Sequence, residues 1–322
     1  MRALWLERGS LALVDVPVPG RPDECLIRVA LAGICGTDLH MRRGYADHTG
    51  VPGHEFVGTV EAVSRPEHRH WLGQRVVGDI NLGCGACPPC RRGVKEHCEH
   101  RDVLGIRARH GTFAEYITLP PANLHPVPDA VTDRAAVFTE PVAAACRILE
   151  QVDIGATHAV AVLGDGRMGL LTAQVLLTTG ARVVLFGRQA PRLALARALG
   201  LDAQPAPSAP LPPRERFDIV VDFTGAVDGL QRALECVRPT GTVVLKTTAH
   251  GDATLATWPI VVDEVTIVGS RCGPFLPALD LLASGRVRTE ELIEGVFALD
   301  EFERAFAAAE GGLKALFDCT QG

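Results

Sequence analysis

The chain has 322 residues, a formal net charge of -6 and an isoelectric point near 6.0, so it lacks the basic field that a nucleic-acid-binding protein needs. The chain is longer than an ordinary domain with a single hydrophobic core, and two domains are therefore expected. Apolar residues make up 47% of the chain and glycine contributes 33 residues, which is typical of a compact α/β protein and excludes a disordered one.

The amino-terminal segment has no recognisable targeting signal. Its first ten residues, MRALWLERGS, contain charges and lack the apolar core and cleavage site of a signal peptide. We therefore expect a cytoplasmic protein that has no membrane segment and keeps its thiols reduced.

The first third of the chain consists of short apolar runs bounded by glycine and proline. LALVDVPVPG, ECLIRVALAGIC, FVGTVEAV, QRVVGDI and TFAEYITL have the length and the boundaries of strands. The pattern predicts a β-rich domain over residues 1–131, to which the chain returns over residues 273–322.

Four cysteines lie within fifteen residues at the spacing C-x-x-C-x-x-C-x(7)-C, namely Cys84, Cys87, Cys90 and Cys98. Thiolates at this spacing can surround one tetrahedral ion, and an all-cysteine set suits Zn²⁺. Reducing conditions disfavour disulfides. A ferredoxin-type run would need a much shorter last gap, followed by proline. The spacing therefore predicts a structural zinc site.

From residue 132 to residue 272, strands alternate with helices. HAVAVLG, ARVVLFG, FDIVVDFTG, GTVVLK and EVTIVGS are predicted strands, and helices are predicted over Arg167–Thr179, Pro191–Leu199 and Asp228–Val237. This alternation predicts right-handed crossovers and a doubly wound parallel sheet of the Rossmann type in an α/β protein. The proline-rich segment AQPAPSAPLPPRER is predicted to be an extended surface loop, because proline donates no backbone hydrogen bond.

The first strand of this region is followed by the motif G-x-G-x-x-G, formed by Gly164, Gly166 and Gly169. The motif follows a strand and opens a helix, which is the context that a dinucleotide site requires. The three glycines would allow a tight turn, the approach of a pyrophosphate and close helix packing, in that order. Arg167 and Met168 belong to the predicted cofactor site, and Arg167 either touches the diphosphate or points to solvent.

The end of the second strand carries the signal for the choice between NAD and NADP. An NAD site usually has an acidic residue about 20 positions after the glycine motif, whereas this chain has Gly187 there, followed by Arg188. Arg192 lies about one helical turn further on. Guanidinium groups bind a 2′-phosphate through charge-assisted hydrogen bonds, so the sequence favours NADP(H) over NAD(H).

These motifs, together with GICGTDLH, GHEFVG, TEPVAAAC and DFTG, resemble the zinc-containing medium-chain dehydrogenase/reductase family over essentially the whole chain. The resemblance implies a GroES-like catalytic domain beside the Rossmann domain. It also implies a homodimer or homotetramer that acts on a small-molecule alcohol or carbonyl compound. Thr224 in DFTG corresponds to the family segment near the nicotinamide ribose. Asp165 and Arg167 are unusual, since small or apolar residues are common at these positions in the family.

The resemblance further implies a catalytic zinc bound by Cys35, His54 and Glu140, the last in the Glu-Pro pair of the sorbitol-dehydrogenase-like branch. Cys146 is a rival third ligand. Glu55 corresponds to a carboxylate that can approach the metal in the family, so whether Glu140 or Glu55 completes the resting ligand set stays open.

A proton path is implied by the same motif. In the family, a hydroxyl at the position of Thr37 hydrogen-bonds the zinc-bound alcohol, and the proton passes through the cofactor ribose to the histidine at the position of His40. Asp38 is expected to orient His54, because ligating histidines usually donate their other N–H to a carboxylate, carbonyl or water.

Three functions are compatible with these motifs. The leading hypothesis is an enzyme, a zinc-dependent alcohol or polyol dehydrogenase that transfers hydride to or from NADP(H). The second is a reductase of C=C or C=N bonds, in which zinc is absent or only structural. The third is a non-catalytic protein that binds zinc and a nucleotide and senses redox state.

Overall fold

The computed structural model describes residues 1–44, 48–212, 215–248, 252 and 254–321. The chain divides into two compact units, one formed by Met1–Glu140 with Leu292–Gly322 and the other by Pro141–Glu291. The domain boundaries proposed above, at 131/132 and 272/273, remain a prediction. Within the described ranges, no helix is both long and apolar enough to cross a membrane.

The first unit consists mainly of strands, as expected from its short valine-rich runs. The strands are β1 (Arg2–Glu7), β2 (Ser10–Asp15), β3 (Cys25–Gly33), β4 (Glu55–Val63), β5 (Arg75–Gly78), β6 (Asn81–Leu82), β7 (Asp102–Leu104), β8 (Ala108–Arg109), β9 (Tyr116–Leu119) and β10 (Leu124–Pro126). The short helices α1 (Gly36–Arg42) and α2 (Pro88–Arg91) lie between them, and α3 (Asp133–Ala136) follows β10.

Helix α4 (Thr139–Gln151) leads into the second unit, where strands alternate with helices. The strands are β11 (Ala159–Leu163), β12 (Arg182–Gly187), β13 (Asp202–Pro205), β14 (Phe217–Asp222), β15 (Val237–Leu245) and β16 (Thr266–Gly269). The helices are α5 (Arg167–Leu177), α6 (Ala190–Ala198), α7 (Gly229–Cys236), α8 (Trp258–Val262) and α9 (Phe275–Ala283). The chain then completes the first unit with β17 (Ile293–Ala298), α10 (Phe302–Gly311) and β18 (Lys314–Asp318).

The main sheet of the first unit has the strand order β10-β5-β4-β3-β18-β17, with β9 also paired to β3. Strands β3 and β4 are antiparallel with Gly33 opposite Glu55, and β18 is antiparallel to β3 with Leu316 opposite Gly33. The end of β3 and the starts of β4 and β18 therefore lie at the same end of the sheet. That end holds the residues of the first candidate site.

The second unit is a parallel sheet with the order β13-β12-β11-β14-β15-β16. The order reverses beside β11, because β12 and β13 lie on one side of it and β14 to β16 on the other. This is the doubly wound arrangement, and the Rossmann prediction is confirmed. The strand AVAVL is buried almost throughout, as expected for a central strand covered on both faces.

The proline-rich segment differs in part from the predicted loop. Its first residues form β13, which pairs with β12 so that Pro205 lies opposite Gly187. Proline is tolerated there because β13 is an edge strand and Pro205 ends it. From Ala206 to Pro212 the segment has no strand or helix, and Pro213 and Arg214 lie outside the described residues.

Candidate metal and nucleotide sites

The first candidate metal site lies at the sheet end defined above. Cys35 follows β3 and is the N-cap of α1, His54 directly precedes β4, and Glu55 is the first residue of β4. Donor atoms of these three residues all lie within 4.8 Å of one another. A thiolate, an imidazole and a carboxylate are all established zinc ligands, so this donor set fits the predicted metal.

Asp38 connects the two loops that carry Cys35 and His54. Its Oδ2 accepts a hydrogen bond of 2.7 Å from the Cys35 backbone N–H, and its Oδ1 lies 3.7 Å from His54 Nδ1. Burial by itself lowers the pKa of His54, but the charges of Asp38, Cys35 and Glu140 outweigh it and raise this pKa well above its usual value. The site therefore stabilises positive charge, which fits a bound cation.

Glu55 is paired with a cation that the sequence analysis did not identify, Lys314 at the start of β18. Their side chains are 1% and 0% exposed, and Lys314 Nζ donates a hydrogen bond to Glu55 Oε2. Nζ also lies 3.3 Å from the Ile34 carbonyl oxygen and 5.6 Å from the centre of the Phe138 ring. A Cβ at Gly33 would lie 2.7 Å from Glu55 Oε2, so glycine leaves the room that this buried pair needs.

Glu140, the predicted third ligand, lies in the first turn of α4. It is not part of the compact set formed by Cys35, His54 and Glu55, although its charge contributes to the raised pKa of His54. Its role as a ligand remains a prediction. The rival Cys146 is a buried residue of the same helix, and burial raises the pKa of its thiol to about 11.

The two relay residues lie on α1, one turn apart. Thr37 Oγ1 is 3.9 Å from Cys35 Sγ, so its hydroxyl adjoins the donor atoms. His40 is exposed at the other end of the helix. Thr37 can therefore contact a molecule bound at the metal, and His40 can exchange a proton with water.

The four predicted cysteine ligands form the second candidate metal site. The sulfur atoms of Cys84, Cys87, Cys90 and Cys98 all lie within 4.8 Å of one another. Backbone N–H groups of Ala86 and Cys87 lower the pKa of Cys84 to about 6, so this thiol is ionised at neutral pH. Zinc binds thiolates, and this cluster therefore fits the predicted structural zinc.

The glycine motif lines a cavity of about 640 Å³ at the carboxyl ends of β11, β12 and β14. Five of the predicted cofactor residues line it: Gly164, Gly166, Arg188, Arg192 and Thr224. Arg167, Met168 and Gly169 are not among the lining residues, since they belong to the first turn of α5. The cavity is therefore lined by both parts of the predicted dinucleotide site, the glycine loop and the two arginines.

The glycines also have the geometry that a dinucleotide requires. Gly164 has a φ of +119°, and a Cβ at Gly169 would lie 1.9 Å from the Gly164 carbonyl oxygen. At Gly166, the N-cap of α5, a Cβ would meet no atom within 4 Å. Open space above the first amides of α5 is what a diphosphate would occupy.

Thr224 is held by the last residue of β14. Its hydroxyl donates a hydrogen bond of 2.7 Å to Asp222 Oδ1, and its backbone N–H donates to the same oxygen. The Thr224 hydroxyl oxygen in turn accepts from the Ala226 N–H at 3.2 Å. Thr224 thus shapes the cavity wall, and its direct contact with a cofactor remains a prediction.

Sequence reasoning missed the role of two residues. A lysine directly before the apolar run ALF in β18 was a signal that Lys314 is buried and needs a partner. Asp165 stood out in the glycine loop, but no role followed from the sequence, because its contacts lie on β12 and the start of α6.

Comparisons with known proteins identify the family of the chain. The family description "Alcohol dehydrogenase GroES-like domain" matches residues 21–129, and "Zinc-binding dehydrogenase" matches residues 168–284. D-arabinitol dehydrogenase 1 of Uromyces fabae is 31% identical over 95% of this chain and 93% of that protein.

Two solved structures are similar over almost the whole chain. A short chain alcohol dehydrogenase of Escherichia coli CFT073, complexed with NADH, is 28% identical, with a TM-score of 0.92 and 99% of each chain covered. A zinc-binding dehydrogenase of Sinorhizobium meliloti 1021, bound to NADP, is 30% identical, with a TM-score of 0.89 and 98% of each chain covered. Relatives of this fold thus bind either nicotinamide cofactor.

Proposed function

Because the chain belongs to the zinc-containing medium-chain dehydrogenase/reductase family, we propose that it is a zinc-dependent alcohol or polyol dehydrogenase that uses NADP(H). The observation that carries this proposal is that the donor atoms of Cys35, His54 and Glu55 lie close together, beside the Thr37 hydroxyl. A reductase of C=C or C=N bonds would need neither this donor set nor an adjoining hydroxyl.

Cys35 and His54 would hold the catalytic zinc, with Glu140 as the third ligand at rest. Glu140 is favoured over Glu55 because the Glu55 carboxylate is already neutralised by Lys314. Zinc, when bound, supplies a Lewis acid that acidifies the substrate hydroxyl, and the nicotinamide supplies a hydride acceptor. Glu55 would remain beside the metal as a second carboxylate.

The chain's own residues would handle the substrate proton. The Thr37 hydroxyl would accept a hydrogen bond from the substrate hydroxyl, because it adjoins the Cys35 sulfur. The imidazole of His40 would exchange the proton with water, because it is exposed and can both accept and donate a proton.

The four cysteines would hold a second, structural zinc. The ten cysteines of the chain are free thiols, and a reducing compartment such as the cytoplasm would keep the four ligands in this form. We propose that this lobe stabilises the fold and takes no part in the reaction.

The preference for NADP(H) is supported by the exposed Arg188 directly after β12 and by Arg192 on the first turns of α6. Both line the cavity that holds the glycine loop. A guanidinium group there would pair with a 2′-phosphate.

A homodimer or homotetramer is supported by exposed apolar side chains on α8, the helix that precedes the last strand in the described sheet order. Strand β16 ends the sheet of the second unit, and Trp258, Val261 and Val262 on α8 are exposed by 65%, 75% and 68%. Large apolar side chains grouped on a surface commonly mark an interface between proteins.

The decisive experiment combines a substrate panel with metal analysis. Alcohols, polyols and aldehydes are tested with NAD(H) and NADP(H) by nicotinamide absorbance, and zinc is measured per chain. We expect turnover of an alcohol or polyol, two zinc ions per chain and a higher kcat/KM with NADP(H).

Thr37→Val and Thr37→Ser form a matched pair for the relay. The valine variant keeps the shape but loses the hydroxyl, and we expect kcat to fall about 10²-fold or more while zinc content is unchanged. The serine variant should keep most of the activity. Full activity of Thr37→Val, or a single zinc with turnover of C=C substrates alone, would contradict the proposal.

A further inference from the structure

The carboxyl end of β12 is occupied by a side chain from the glycine loop. A Cβ at Gly187 would lie 2.5 Å from Cβ and Oδ2 of Asp165 and 2.6 Å from its Cγ. These three atoms are the nearest neighbours of that position. The Asp165 side chain therefore fills the space where a side chain at the end of β12 would otherwise lie.

The Asp165 carboxylate is fixed by the backbone that joins β12 to α6. Its Oδ2 accepts hydrogen bonds from the N–H groups of Arg188 and Gln189, at 2.9 and 2.7 Å. The residue is only 8% exposed, yet it lines the cavity beside Gly164 and Arg188. The two backbone donors hold this buried side chain in one position.

In dinucleotide-binding folds, an acidic residue at the end of the second strand accepts a hydrogen bond from the ribose 2′-hydroxyl of NAD. Position 187 lacks that acid, and Asp165 brings a carboxylate to the same place from the glycine loop after β11. We propose that Asp165 is a specificity-determining residue that binds the adenosine ribose of NAD(H) and opposes the 2′-phosphate of NADP(H). This inference rests on the proposed binding of a nicotinamide dinucleotide and does not depend on which of the two cofactors the unchanged protein prefers.

Asp165 and Arg188 then act in opposite directions on the same ribose. The guanidinium of Arg188 attracts a 2′-phosphate, whereas the carboxylate repels it and prefers a hydroxyl donor. Arg192 lines the same cavity and adds to the attraction of Arg188 for a 2′-phosphate. Two other charges of the cavity have partners of their own: Arg232 Nε donates to Asp228 Oδ2 at 2.7 Å, and Glu235 accepts from Gln231 at 3.2 Å. The preference at the strand end thus depends on Asp165 on one side and on Arg188 and Arg192 on the other.

The test is the substitution Asp165→Asn, read by equilibrium binding of NADH and NADPH to the zinc-loaded protein without substrate. Asparagine keeps an oxygen for the two N–H donors and removes the charge. We expect the ratio of the two dissociation constants to shift toward NADPH by about 10-fold or more, as expected for one hydrogen bond to a charged group. Arg188→Ala should shift the same ratio toward NADH.

Glu235→Gln is the matched control, because it removes a carboxylate from the wall of the same cavity. It should change the ratio by less than about 2-fold. An unchanged ratio in Asp165→Asn, an equal loss of both cofactors, or an equal shift in Glu235→Gln would overturn the proposal.

A relocation variant tests the inference if Asp165→Asn folds poorly. Asp165→Gly combined with Gly187→Asp moves the carboxylate to the strand end, in space that Asp165 vacates. This variant should bind NADH with the dissociation constant of the unchanged protein. A clearly weaker affinity for NADH would count against the proposal. The absolute preference of the unchanged protein tests the NADP(H) proposal, whereas the shift on substitution tests Asp165.

Discussion

The two candidate metal sites reach similar donor distances by different means. In the cysteine lobe, four thiols come from one fifteen-residue segment, and only Cys98 is buried. In the other site, the donors come from separate elements, and His54 and Glu55 are buried. In the lobe, nearby backbone N–H groups lower the pKa of Cys84. In the buried site, His54 and Glu55 are paired with the charges of Asp38 and Lys314.

This difference has an energetic consequence. A metal site formed by one short segment needs its metal to keep its conformation, because such a segment has little hydrophobic core of its own. A dispersed site is held by the sheet that carries it, so its charges must be balanced by the fold even before a metal binds. Loss of zinc should therefore affect stability at the lobe and chemistry at the buried site.

The largest effect is expected from Cys35→Ser, which removes the sulfur ligand of the buried site. Lewis-acid catalysis contributes several kcal/mol, so kcat/KM should fall by about 10³-fold or more. One equivalent of zinc should be lost, while the thermal midpoint changes little. Steady-state kinetics, metal analysis and thermal unfolding measure these three outcomes.

Cys98→Ser is the counterpart in the lobe. It should also release one zinc, but its main effect should be a lower thermal midpoint, with most low-temperature activity retained. If both variants lose all zinc, or if both lose activity equally, the two sites do not act independently.

The contrast also explains what the sequence could predict. The lobe was readable because its ligands are neighbours in the chain, and the glycine motif because its context of strand and helix is local. Lys314 lies 259 residues from Glu55, and only the pairing of β18 with β3 brings them together. Asp165 accepts hydrogen bonds from backbone groups that lie 23 and 24 residues further along the chain, just before α6. Its role therefore depends on tertiary packing, which motif spacing does not predict.

Lys314→Met tests whether the fold must balance the buried charge. Removing one partner leaves Glu55 buried without its cation, and the free energy of unfolding should fall by about 3–5 kcal/mol. The double variant Lys314→Met/Glu55→Gln should recover most of this loss. Urea unfolding measures each variant in a Cys35→Ser background, so that no zinc beside Glu55 takes the place of the lysine.

Arg28→Met is the surface control for Lys314→Met. It breaks the exposed pair with Glu61, whose charged atoms lie 3.5 Å apart, and should cost less than about 1 kcal/mol. Equal losses of unfolding free energy in the two variants would mean that the buried pair stabilises the fold no more than the exposed pair does.

A smaller effect is expected from Asp38→Asn, which changes the partner of His54 and keeps an oxygen for the Cys35 N–H. Altering such a partner typically weakens metal binding by about 10–100-fold. Competition with a chelator should show this loss at the buried site and none at the lobe. Asp133→Asn, at a half-buried pair with Arg75 away from both metal sites, should change neither affinity. Weaker binding at the lobe in Asp38→Asn would contradict the separation of the two sites.

The smallest and most local effect concerns the pH at which the lobe is reactive. The pKa of Cys84 is lowered from 9.0 to about 6, so its thiolate persists until the pH falls through about 6. In zinc-stripped protein, alkylation of Cys84 should rise with a midpoint near pH 6, read by peptide mass spectrometry. Cys146 is the internal control, because burial raises its pKa to about 11 and it should stay unreactive at neutral pH. A Cys84 midpoint close to 9 would mean that the N–H groups of Ala86 and Cys87 no longer face the sulfur, so that the lobe requires its metal for local geometry as well as for stability.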